Sequence, residues 1–128
     1  MKTASRWTAV AGAATLLLTG CVANQPAGGS STAAANGVIT VTAKADSCAV
    51  SANTTASGKV TFRITNAGEA TTEFYLLAAD RLRIVAEKED IAPGAFAELS
   101  VALAPGQYFT ACKPGGTKIG EAEFTVVG

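Results

Sequence analysis

Only a few side chains here have chemistry to offer, because the sequence contains three cysteines, no histidine and a single methionine, Met1. Cys112 closes the run GQYFTAC and opens the loop KPGG; Cys48 lies 112 − 48 = 64 positions earlier. Two such cysteines can act as thiolates on a soft metal, or they can close a disulfide. Glu73 heads the apolar run EFYLLA, where a partly buried carboxylate needs a partner; Arg63, Arg81 and Arg83 are the arginines available to it. Glu87 and Glu89 stand two positions apart, so an extended segment puts both on one face, where two carboxylates can converge on a hard cation. The candidate metal ligands are therefore Glu73, Cys112, Cys48, Glu87 and Glu89. Iron as the ferric ion prefers the carboxylates, and copper as the cuprous ion prefers the thiolates. The other reading of residues 87–90 is a solvated strand edge whose charges discourage sheet-to-sheet pairing. Catalysis has little to draw on. Without histidine a serine or cysteine nucleophile needs a lysine or carboxylate base, and no neighbouring pair supplies one, so the chain is expected not to be an enzyme.

The elements that position these residues begin after residue 20. Lys2 and Arg6 form a basic start, residues 7–18 an apolar run too short to span a bilayer, and Thr19 and Gly20 are small: the pattern of a secretory signal. The ending LTGC resembles the lipobox of bacterial lipoproteins, in which the cysteine after the cut is acylated. Cys21 is thus the expected lipid anchor, holding the chain on the outer face of the cell membrane. An ordinary signal peptide cut a little further on is the alternative. Residues 21–37 lack periodicity and form the expected tether, and residues 38–128 the expected domain. Removing Lys2 and Arg6 leaves eight cations against ten carboxylates, 8 − 10 = −2, with no basic face for phosphates, so nucleic acid is not an expected partner. Outside the membrane the surroundings are oxidising, which favours a Cys48–Cys112 disulfide over thiolate ligands.

From residue 38 the pattern becomes short alternating runs. Strands are expected at residues 38–42, 48–50, 59–65, 73–78, 82–85, 96–103, 107–112 and 122–127. In KVTFRIT, Val60, Phe62 and Ile64 should face inward and Lys59, Thr61 and Arg63 outward. The APG triplets at 92–94 and 104–106 suggest hairpin connections. Seven to eight strands in about ninety residues predict an all-β, Greek-key β-sandwich.

The motif G-x-Y-x-x-x-C-x-P-G at residues 106–115, after a strand leaving Asn66-Ala67-Gly68, is similar to the cupredoxins. TEFYL, AEKEDIAPG and YFTACKPG together resemble the N-terminal cupredoxin-like domain of EfeO, the extracytoplasmic component of a bacterial iron-uptake system. That resemblance implies a cupredoxin-like sandwich that binds iron or copper and assists metal uptake beside an iron-uptake permease or a helical EfeO-like component. The helical domain of full-length EfeO is not in this sequence. Glu73 stands at the position resembling the first copper histidine, and Lys113-Pro114-Gly115 fills the loop of the second. The competing expectation is a metal-free sandwich, stapled by Cys48–Cys112, that acts as a cell-surface interaction module. In the first case the Glu73 carboxylate shares a cavity with Cys112, Glu87 or Glu89; in the second it pairs with an arginine.

Overall fold

Residues 32–128 are described in a computed structural model; the expected signal sequence, Cys21 and most of the tether lie outside the described residues. Nine strands occur among them: β1 (Val38–Ala43), β2 (Cys48–Val50), β3 (Thr54–Ala56), β4 (Gly58–Asn66), β5 (Thr72–Ala78), β6 (Ile84–Ile91), β7 (Phe96–Leu103), β8 (Gly106–Cys112) and β9 (Ile119–Val127). They form two mixed sheets, ordered β2-β1-β4-β7 and β3-β9-β8-β5-β6. Parallel pairs, β1 with β4 and β3 with β9, are set among antiparallel neighbours.

Strict alternation builds the core. Val60, Phe62 and Ile64 of β4 are fully buried while Lys59 and Arg63 face solvent, and Ile39, Val41 and Ala43 line the same side of the first sheet. From the second sheet Phe74, Leu76 and Phe124 meet them. Phe62 packs between Phe74 and Phe124, with ring centroids 5.0 and 5.6 Å away and tilted planes, an arrangement aromatic rings favour over face-to-face stacking. The Cys48–Cys112 disulfide crosses the same space. Its Cα atoms stand 5.5 Å apart and it ties β2 of one sheet to β8 of the other.

Several expectations are corrected. The turns at residues 92–94 and 104–106 are not hairpins, since β6 and β8 belong to one sheet and β7 to the other; both carry the chain across the sandwich. β6 starts later than expected and runs on to Ile91, taking Glu87, Glu89 and Asp90 into an edge strand, while Leu82 lies in the preceding turn. A bulge interrupts β6, with Thr72 opposite Ile91 but Phe74 opposite Lys88, and Asp90 has φ 53°. β3 was not expected. It also receives the end of the tether: the Ala34 amide donates to Thr54 O at 2.8 Å, and Ala33 forms a parallel bridge with Thr54.

Asn66, at the end of β4, is a buried clamp. Its Nδ2 donates to the carbonyls of Ala70 and Ile91 at 2.8 Å each, and its Oδ1 accepts from the Gly68 amide at 2.9 Å. These bonds join the end of β4, the loop into β5 and the end of β6. Asn66→Ala strands three backbone groups, so urea denaturation should show a loss of about 3 kcal/mol. Asn66→Asp should not restore it, because a carboxylate cannot donate to the two carbonyls.

Candidate functional site

Cys112 and Glu73 are brought together by the pairing of β5 with β8 and then separated by the pleat. Cys112 lies directly opposite Phe74 and shares its inward face, fully buried. Glu73, one residue earlier, projects to the outer face, although its carbonyl accepts from the Lys113 amide at 2.9 Å. Cys112 Sγ is bonded to Cys48 Sγ. A disulfide sulfur has no thiolate to give a metal, so of the two expectations for Cys48 and Cys112 the favoured one, the disulfide, is what forms, and the alternative of soft ligands falls away.

On the outer face Glu73 already has partners. The Tyr75 hydroxyl donates to Glu73 Oε2, and Lys113 Nζ lies 3.8 Å from the same oxygen and 5.7 Å from the centre of the Tyr75 ring. Among the described residues no arginine takes part: Arg63 pairs with Glu98 at 3.0 Å and Arg81 with Glu121 at 3.5 Å. Glu73 therefore does not share the buried space of Cys112, and among the described residues it does not pair with an arginine; of the residues the first expectation grouped with it, Glu87 and Glu89 act with it on the same Tyr75 phenol. A lysine on the adjoining strand end answers it instead.

Glu87 lies across from Tyr75 on β6, close enough for Glu87 and Glu89 to act on its phenol. Burial pushes the Tyr75 phenol above its ordinary value of 10.0; the hydrogen bond to Glu73 and then the charges of Glu73, Glu87 and Glu89 push it the same way. Among the described residues no three His, Cys, Asp or Glu side chains gather as a metal-holding group. Because the folded protein holds the phenolic proton more tightly than the unfolded chain, this stabilisation is complete below pH 10 and is lost as pH climbs beyond it. The stability advantage of wild type over Tyr75→Phe should shrink above pH 10 in urea titrations; an advantage constant with pH would contradict the assignment.

Five consecutive apolar residues, Phe74 to Ala78, bury both faces of β5. On the outer side Tyr75 and Leu77 pack with Phe109 of β8 in a second cluster, and the Arg81 guanidinium covers the Phe109 ring 4.3 Å from its centroid. Tyr108 hangs from the opposite face, its hydroxyl donating to Ala104 O at 2.9 Å.

The profile of the cupredoxin-like domain matches residues 9–126. The chain belongs to that family. Dithionite-reduced auracyanin from the photosynthetic bacterium Roseiflexus castenholzii is similar to this cupredoxin-like chain in fold. The TM-score is 0.56 at 19% identity, over 74% of this chain and 100% of that one. No curated protein matches the sequence.

Copper, the metal such a fold implies, does not fit the residues of this cupredoxin-like domain. A blue-copper centre takes two imidazoles, a thiolate and a weak axial ligand, commonly a thioether. This chain has no histidine, its one methionine is Met1, and Cys112 is oxidised. Sequence reasoning found Glu73 and Cys112 but missed Lys113 and the outer aromatic cluster. The unbroken apolar run 74–78 was the available signal, since a strand buried on both faces loses its alternation.

Proposed function

We propose that this cupredoxin-like domain is tethered by acylated Cys21 to the outer face of the cell membrane and assists metal uptake through protein contact, without holding copper or iron itself. An iron-uptake permease or a helical EfeO-like component is the partner the resemblance suggests. One observation carries the reading: both atoms best placed to hold a metal are committed elsewhere, Cys112 Sγ to Cys48 and the Glu73 carboxylate to Tyr75 and Lys113. With Cys112 and Glu73 closed to a metal, the domain is left chiefly with its surfaces, and the membrane anchor would keep those surfaces beside a transporter.

The test is metal retention. Purified protein dialysed against cuprous, cupric and ferric ions, then freed of loose metal, should keep no stoichiometric metal by mass spectrometry. One equivalent of iron, abolished in a Glu87→Gln/Glu89→Gln variant, would overturn the reading in favour of the carboxylates. Copper retained at Cys112 would overturn it in favour of the thiolate. Cys21→Ala should shift the protein from the membrane to the soluble fraction, and unchanged fractionation would remove the anchor.

A further inference from the structure

The outer face of the five-stranded sheet carries a groove of about 330 Å³, near the lower end of the roughly 300–1,000 Å³ common for ligand sites. Tyr75 and Leu77 line it, Leu82 and Ile84 rise on the side of the β5–β6 turn, and Arg81, Lys113 and Lys118 supply its charge. Each charged residue in this lining is a cation, in a chain with ten carboxylates and ten Lys+Arg. Their counter-charges are shared thinly. Glu121 serves both Arg81 and Lys118, at 3.5 and 2.7 Å, and Glu73 divides itself between Lys113 and the Tyr75 hydroxyl.

The apolar side is held rigidly in the open. Leu82 is 83% exposed and Ile84 47%. Yet the turn that displays them is fixed: Asp80 Oδ1 accepts from the amides of Leu82 and Arg83 at 2.9 Å each, Arg81 N donates to Ala78 O, and Ala78 N to Arg83 O. The Arg83 amide foremost, then that of Leu82, holds the Asp80 carboxyl below its ordinary range, so the clasp persists at neutral pH. Arg81 has φ 61°, a conformation unusual for a residue with a side chain, and its guanidinium is stacked on Phe109. An ordered turn that presents a leucine to water beside stacked cations is arranged for contact.

We propose that this groove binds an extended segment of a partner protein in which an aspartate or glutamate is flanked by apolar side chains. The carboxylate would be received by Arg81 and Lys118, which have one glutamate between them, with Lys113 beside it. The flanking side chains would lie over the buried Tyr75 and Leu77 and against Leu82 and Ile84, removing the exposed surface of those two from water. Charge complementarity selects this occupant over an anionic bilayer. A flat anionic surface laid on this face would also meet Glu87 and Glu89 of the adjoining edge strand, whereas a narrow chain need not. The groove is also at the free side of the domain: the tether arrives at β3, one edge of this sheet, and the turn leads into β6 at the other.

The inference rests on the reading of the domain as a contact module. Its test is an amide chemical-shift titration of the purified, isotope-labelled protein with two synthetic peptides: a short leucine-rich peptide with two central glutamates, and the same peptide with glutamines. The acidic peptide should shift the amides of Leu77, Leu82, Ile84, Lys113 and Lys118, and bind roughly tenfold more tightly than its amide twin. Leu82→Ser, at an exposed position where folding is not at risk, should weaken it roughly fivefold without changing the melting temperature. Lys113→Glu should weaken only the acidic peptide. Equal binding of both peptides, shifts confined to other faces, or association with anionic vesicles but neither peptide would overturn the proposal. Retention of metal would sink the contact reading and leave this titration unaffected; a metal-free protein that ignores the peptide sinks only the groove.

Discussion

Reducing Cys48–Cys112, or replacing both by alanine, should cost the fold about 4 kcal/mol. Opening the bond frees a loop of 64 residues in the unfolded chain, and the chain-entropy relation converts that length into roughly this figure. It is a large share of the 5–15 kcal/mol or so by which domains are ordinarily stable. The location sharpens the expectation, because β2 has three residues and the disulfide fastens it to the opposite sheet. Urea unfolding with and without reductant measures it directly, and the midpoint should fall by about 2–3 M for a domain of this size. Native protein should resist reduction, since Cys112 is fully buried and Cys48 only 9% exposed. A midpoint indifferent to reductant would contradict a structural staple.

Gly120→Ala should be nearly as damaging, by about 3 kcal/mol. Gly120 has φ +60°, where an added Cβ alone costs about 1–2 kcal/mol. That Cβ would also stand 2.6 Å from Cys48 Cβ and 2.8 Å from the Cys48 amide nitrogen. Backbone anchored by a disulfide cannot withdraw as the end of a flexible side chain could, so an overpacking cost of about 1–3 kcal/mol is added. Gly94→Ala is the control. It has φ +74° but nothing within 4 Å of the new methyl group, and should show the conformational cost alone. Thermal melts of the two variants separate strain from collision: equal losses would mean that β9 has room to move away from β2.

The parts of the fold legible in sequence were those written as alternation. VITVT and KVTFRIT could face the core in only one way, and β1 and β4 follow it residue by residue. The Cys48–Cys112 bond was legible from the cysteine count, taken with the oxidising surroundings that the signal-like start implies. β3, with the sequence TTA, was not: three residues carry no period, and its place follows from the parallel neighbour β9 and from Ala33. The APG turns misled because proline and glycine specify where a chain turns, not whether it returns to its neighbour or crosses to the other sheet. The partner of Glu73 was hidden for a related reason. Lys113 comes beside it through the pairing of β5 with β8, while Arg63 meets Glu98 through the pairing of β4 with β7 and Arg81 reaches Glu121 from the turn between β5 and β6. Local sequence suggested the need for a cation but could not choose which.

The cysteine at the position where a cupredoxin would offer its copper thiolate, Cys112, is here a structural half-cystine. The most direct measurement is alkylation of the native protein, isolated without reductant, denatured and read by peptide mass spectrometry, with metal content determined on the same sample. Cys48 and Cys112 should be modified only after reduction, and no stoichiometric metal should accompany the protein. Alkylation of Cys112 before reduction, in a sample carrying copper or iron, would contradict this.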